Sequence, residues 1–117
     1  MSEGSQRFAK SDRILKRDAF KRVYNAGRKY QAKYFTAFVL ANAGDVPRIG
    51  VTTTRKIGNA VERNRARRLV REAFRRNKDR MPNGIDIVVN ARASLVDAVY
   101  GDFEYEFLAF LKKVGGQ

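Results

Sequence analysis

Between positions 56 and 78 the chain reads KIGNAVERNRARRLVREAFRRNK. Lys56, Arg63, Arg65, Arg67, Arg68, Arg71, Arg75, Arg76 and Lys78 have only Glu62 and Glu72 to compensate them. Like charges repel, so the segment costs stability unless a polyanion neutralises it. On a helical wheel at about 100° per residue, Ala66, Leu69, Val70, Ala73 and Phe74 form one apolar stripe. Asn64, Arg68, Arg71 and Arg75 fall almost opposite, in one outward row, with Arg65 and Arg76 flanking one side and Arg67 the other. Arg63 lies toward the buried flank, where it either turns into a neighbouring cleft or supports the preceding loop. Guanidinium forks bind phosphate in bidentate fashion and are weakly hydrated, so this row suits a nucleic-acid backbone. A plain solvated face would mix signs at i, i+4.

A second set of residues is aromatic. Phe20 and Tyr24 share a helical face and Phe38 falls in a strand. Bases stack on such rings while nearby cations pair with phosphates. The same spacing equally serves a core, and pattern alone leaves both readings open. A third feature is TTTRKIGN, residues 52–59, where a strand runs into a helix. Backbone N–H groups at that helix start, with Arg55 and Lys56 beside them, make an anion site. The spacing of a Walker loop is absent.

Catalytic side chains are harder to find. The chain has no His and no Cys, which removes the commonest general base, thiolate zinc sites and Ser–His or Cys–His nucleophiles. Asp102 and Glu106 share a helix face, but charge at a helix N-terminus accounts for them. Asp86 and Asp97 read as isolated. The expectation is no catalytic residue and no metal centre on the protein itself.

These features need elements to hold them. The 117 residues predict one domain with a modest core, 44% of them apolar, at a net charge of +13. No run of about 18 apolar residues is present, so no membrane-spanning helix is expected. The opening MSEGSQRFAK lacks a secretory h-region. A cytoplasmic protein is the expectation, with residues 1–12 a mobile basic segment and 13–117 one domain. KRDAFKRVYNAG reads as a helix stopped by Gly27. YQAKYFTAFVLANAGD reads as a strand and turn, and RIGVTTTR as the next strand, the two pairing antiparallel. A long helix follows, from about Asn59 to Asn77. IDIVVNA, apolar on both faces, reads as a central strand. DFEYEFLAFLKKV, opening at Asp102, is the last helix. The sum is one α+β domain with a sheet of about four strands.

At RKIGNAVERNRARRLVREAF the sequence closely resembles the bacterial ribonuclease P protein family. The family pattern K-x-G-x-A-V-x-R-N-R-x-[KR]-R-x-x-R-E is met without departure by Lys56, Gly58, Ala60, Val61, Arg63, Asn64, Arg65, Arg67, Arg68, Arg71 and Glu72. DAFKRVYNAG, YFTAFVL, RIGVTTTRK and DIVVNAR match further landmarks in order, so the resemblance spans nearly everything after Arg13. It implies a two-layer α/β sandwich, order α-β-β-β-α-β-α, with a short extra strand near RKY. It also implies a left-handed β-α-β crossover like that of a ribosomal-protein S5 domain. No pattern argument yields that hand, since such crossovers are almost always right-handed.

The resemblance also implies a division of labour. Such a protein is the non-catalytic subunit of an endonuclease whose catalytic RNA, with bound magnesium, removes the 5′ leader of precursor tRNA. The protein holds the RNA and the single-stranded leader, as a monomer, one per catalytic RNA, with no membrane partner. Carried over by position, Phe20, Tyr24, Phe38, Arg55, Lys56 and Arg92 match the leader cleft. Arg63, Asn64, Arg65, Arg67, Arg68, Arg71 and Arg75 lie on the helix that meets the catalytic RNA. Thr54 and Ala93 stand where some members carry Lys. Three other classes compete on composition. A ribosomal-type RNA-binding module lacks the RNR signature, a helix-turn-helix protein needs two short helices at a tight turn, and a membrane-surface peptide cannot also spend its apolar stripe on a core.

Overall fold

The computed structural model describes residues 17–42, 44 and 46–115. The segment 1–12 expected to be mobile lies outside them. Helix α1 (Arg17–Ala26) carries Asp18 in its first turn and ends at Gly27, whose N–H donates to Val23 O at 2.8 Å. Strands β1 (Arg28–Gln31), β2 (Phe35–Ala41) and β3 (Arg48–Thr52) follow. A single 3-10 turn, Arg55–Ile57, leads to α2 (Ala60–Arg76). Strand β4 (Ile85–Ala91) and α3 (Tyr100–Gly115) complete the described order. The short β1 is the extra strand that the resemblance implied near RKY.

The start of α2 is specified locally. Asn59 accepts from the Glu62 N–H and Glu62 Oε1 accepts from the Asn59 N–H, both at 2.9 Å, a complete capping box. Gly58 just before it has φ 150°, a conformation L side chains rarely adopt, and a Cβ there would meet Glu62 Oε1 at 2.1 Å.

The sheet order is β1-β2-β4-β3, with β3 and β4 parallel and the other pairs antiparallel. This corrects the expected antiparallel pairing of β2 with β3. Strand β4 inserts between them, because α2 carries the chain back from β3 to a parallel neighbour and β4 is the strand apolar enough to be covered on both faces. Ile87, Val88 and Val89 are all fully buried.

The two faces differ. On one, Phe35, Ala37, Ile49, Ile87 and Val89 pack with Ala66, Val70, Ala73 and Phe74 of α2 and Phe103, Phe107, Phe110 and Leu111 of α3. Phe35 lies 5.7 Å from Phe103 and 5.6 Å from Phe110, edge to face. Each such ring contributes about 1.5–3 kcal/mol by burial. The expected stripe of α2 is buried, Leu69 partly. On the other face α1 alone covers the sheet among the described residues, and the core there shrinks to Val23 and Val88 with Ala19, Phe20, Tyr24, Phe38 and Leu40 partly buried around them.

Two expectations change here. Helix α3 begins at Tyr100 rather than Asp102. Asp86 is not isolated: it is 1% exposed and takes Arg48 in a bidentate pair, Nε to Oδ1 at 2.8 Å and Nη2 to Oδ2 at 2.7 Å, with Asn42 Nδ2 donating at 2.8 Å. The carboxylate, through that hydrogen bond first, holds the Arg48 guanidinium above its usual pKa. A strand-interior acid reads as lone in sequence because its partner sits on the neighbouring strand, Arg48 opposite Asp86.

Candidate nucleic-acid interface

The strand register lays the α1 face out in rows. One row runs Lys29–Phe38–Val88–Gly50 and the next Gln31–Thr36–Asn90–Thr52. The first is apolar at its centre and roofed by α1; the second is polar throughout. Between them opens a groove of about 650 Å³ lined by Arg17, Phe20, Lys21, Tyr24 and Thr52. Its walls are thus two aromatic rings and two cations, over a hydroxyl floor.

Each wall has a cause. The far end of the Phe20 ring comes so close to β3 that a Cβ at Gly50 would fall 2.5 Å from its Cζ, so the glycine is what lets the ring approach the sheet. Tyr24 is fixed at both ends. Its ring meets Phe38 edge-on with centroids 4.9 Å apart. Its hydroxyl donates to Asn90 Oδ1 and lies 3.2 Å from Thr52 Oγ1, while Thr52 also donates to Asn90 Oδ1. Phe38 is therefore a support behind Tyr24 and is not among the groove's lining residues.

The expected basic residues gather at the same end of the sheet. Thr52 ends β3, and Arg55 and Lys56 follow it, both exposed. Arg92 comes two residues after Asn90, also exposed, and its Nη1 donates to Ala32 O at 3.2 Å. Arg17, Lys21, Thr36, Thr52 and Asn90 were missed by motif reasoning. The available signal was period-2 alternation, which puts Thr36, Thr52 and Asn90 on the strand face that the large core does not use.

The arginines of α2 divide into two groups. Asn64 and Arg68 stand exposed as expected, whereas Arg71 and Arg75 of the same row are half-buried. The others are held. Arg63 Nη1 donates to Gly58 O at 2.8 Å, which decides between its two expected roles: it supports the loop. Arg65 Nη2 reaches Ala98 O at 2.9 Å. Arg67 donates to Thr53 Oγ1 and Asn64 Oδ1, tying α2 to the chain just beyond β3. Glu72 takes both Arg75 and Arg76, and the Arg76 guanidinium sits 4.8 Å from the centre of the Tyr100 ring. Those bonds, the one from Arg75 foremost, hold the Glu72 carboxyl below the usual carboxylate range. Among the described residues no group of three or more His, Cys, Asp and Glu is placed to hold a metal ion, and no helix is long and apolar enough to cross a membrane.

A paired arrangement of this kind, an aromatic and cationic groove on one sheet face and an arginine helix on the other, can be compared with known proteins. The Ribonuclease P family model matches residues 8–115. The chain belongs to that family. The ribonuclease P protein component of Syntrophus aciditrophicus is 45% identical over 104 residues, covering 89% of this chain and 87% of the relative. The RNase P protein of Thermotoga maritima superposes with a TM-score of 0.80 at 35% identity, over 86% of this chain and 96% of the other. That of Staphylococcus aureus gives 0.79 at 31%, over 91% and 96%. Those two structures therefore share the fold of the described residues, three α-helices and a four-stranded mixed sheet, in line with the α+β expectation.

Proposed function

We propose that this chain, as the protein component of ribonuclease P, binds the catalytic RNA through α2 and the single-stranded 5′ leader of precursor tRNA through the α1 groove. The observation that carries this reading is the groove itself: Phe20 and Tyr24 facing open space beside Arg17 and Lys21, with Arg55 and Lys56 at its end. Stacking takes any base, and the cations take the phosphates between bases, so a leader of varied sequence fits. Arg92 contributes at the rim and Phe38 acts through Tyr24. On α2, Asn64, Arg68, Arg71 and Arg75 offer the outer row, and Arg63, Arg65 and Arg67 stiffen the helix start and its flanks.

Cleavage belongs to the RNA in this proposal. Magnesium held mainly by the RNA supplies the activated water. Three carboxylates are committed elsewhere: Asp86 and Glu72 are engaged by arginines and Glu106 accepts the Lys33 N–H at 2.8 Å. The protein's part is to raise the affinity for precursor over mature tRNA, since only the precursor has a leader to fill the groove. It acts in the cytoplasm as a monomer, one per catalytic RNA.

Reconstitution tests this. The purified chain, a bacterial ribonuclease P RNA, magnesium and precursor tRNA are combined at near-physiological salt. Leader removal is expected to be more efficient than with RNA alone, and absent with protein alone. Cleavage by the protein without RNA would sink the division of labour. RNA binding without any gain in cleavage would leave only a general RNA-binding module.

A further inference from the structure

Helix α3 buries Phe103, Phe107, Phe110 and Leu111 but leaves another aromatic ring outside. Tyr105 is 78% exposed, and Leu108, Ala109 and Lys112 follow it at i+3, i+4 and i+7, along one side of the helix. Together with Arg80 they line a cavity of about 600 Å³. Arg80 ends the 3-10 turn Lys78–Arg80 that follows α2. Asn77 Nδ2, donating to Glu104 Oε2 at 3.0 Å, holds the start of that turn against α3. The sheet separates this cavity from the α1 groove, because α3 packs on one sheet face and α1 on the other. Arg80 and Lys112 are exposed, and among the described residues neither makes an ion pair. Arg80 Nη1 stands 3.5 Å from Asn77 Oδ1, at the outer limit of a hydrogen bond. No acid is among the residues that line the cavity.

We infer that this cavity is a second RNA site, in which Tyr105 stacks on one unpaired base of the catalytic RNA and Arg80 and Lys112 take the phosphates beside it. An exposed ring beside an aliphatic side chain offers a base a flat face, and two unpaired cations answer the backbone charge. The α1 groove, of about 650 Å³, combines the same parts, rings with Arg17 and Lys21. A second copy of this chain fits less well, because a chain of net charge +13 brings cations to cations. Position favours the catalytic RNA over other RNAs. Arg80 comes four residues after Arg76, the last residue of α2, so a strand lying along α2 runs on to the cavity. That choice rests on the proposed docking role of α2.

Tyr105→Ala tests this, with the full chain and bacterial ribonuclease P RNA as the probe. A Kd about fivefold or more higher is expected, the lower end of what one stacked base contributes. Tyr105→Phe keeps the ring and should recover most of that affinity; equal loss in both variants would overturn the stacking role. Arg80→Ala combined with Lys112→Ala should lower the slope of log K against log salt by roughly one to two, and an unchanged slope would remove the phosphates from the site. This double variant is the independent test if Tyr105→Ala does not fold, which circular dichroism checks. Unchanged RNA affinity in Tyr105→Ala overturns the inference. If sedimentation then shows that the same variant breaks a dimer, the face serves self-association instead. If the complex loses its preference for precursor over mature tRNA while RNA affinity holds, the site serves the substrate, and the assignment to the catalytic RNA falls. Arg68→Ala separates the two levels. When it weakens RNA binding and Tyr105→Ala does not, the inference alone fails; when neither does, the docking role of α2 fails as well.

Discussion

The α1 groove and the outer row of α2 both present cations to solvent, yet they are built on opposite terms. In the groove, Phe20 and Tyr24 are part of the small core that also holds Val23 and Val88. The rings that line the groove are also the rings that pack, so a change in one role is a change in the other. On α2 the core stripe and the arginine row occupy different sides of one helix, and Arg68 can be removed without touching Phe74. If the groove and α2 act as proposed, shape recognition is coupled to stability, whereas charge recognition is nearly free of it.

Four outcomes would sharpen or break that contrast. The largest effect is expected for Phe20→Ala. Losing one stacking ring should weaken precursor tRNA binding by about 1–3 kcal/mol, leave mature tRNA binding nearly unchanged and lower the melting temperature as well. Equal loss for both tRNAs would remove the leader from the groove. Arg68→Ala comes next. It should weaken assembly with the catalytic RNA and lower the slope of log K against log salt by roughly one, with the melting curve unmoved. A clear drop in stability would erase the contrast.

Tyr24→Phe is subtler. It keeps the ring and removes the hydroxyl that meets Asn90 and Thr52, so about 0.5–1.5 kcal/mol of stability should be lost with only a minor change in leader affinity. The smallest effect lies at the seam of α2 and α3. Burial first, and then its hydrogen bond to Glu104, push the Tyr100 hydroxyl up to about 12. A folded-state value above the ordinary one of about 10 contributes stability that is complete below pH about 10 and is lost as pH rises through about 12. Tyrosinate absorbance during an alkaline titration should show this late group in the wild type and lack it in Tyr100→Phe.

Much of this was legible along the chain. Helix α2 and its stripe follow from 3.6-residue spacing, its start from Asn59 and Glu62, and β4 from a run apolar on both faces. The exposure of Arg68 follows from the same wheel. Other features were not. The wheel put Arg71 and Arg75 in one outward row, but both are half-buried, and Arg75 lies along its own helix against Glu72. Phe38 matched a cleft position, yet Tyr24 stands in front of it. Asp97 and Asp86 looked alike, and only Asp86 has a partner across a strand.

The sequence by itself determined the elements, the faces they bury and the excess of cations, because these depend on residues three, four or two positions apart. Its resemblance to a family determined which family. The tertiary structure decided strand order, and with it what requires two strands to be neighbours, the Arg48–Asp86 pair and the row Thr36–Asn90–Thr52; it also laid α1 over β3, where Gly50 seats Phe20. Those contacts join residues dozens of positions apart, and no local period records which distant strand will lie alongside.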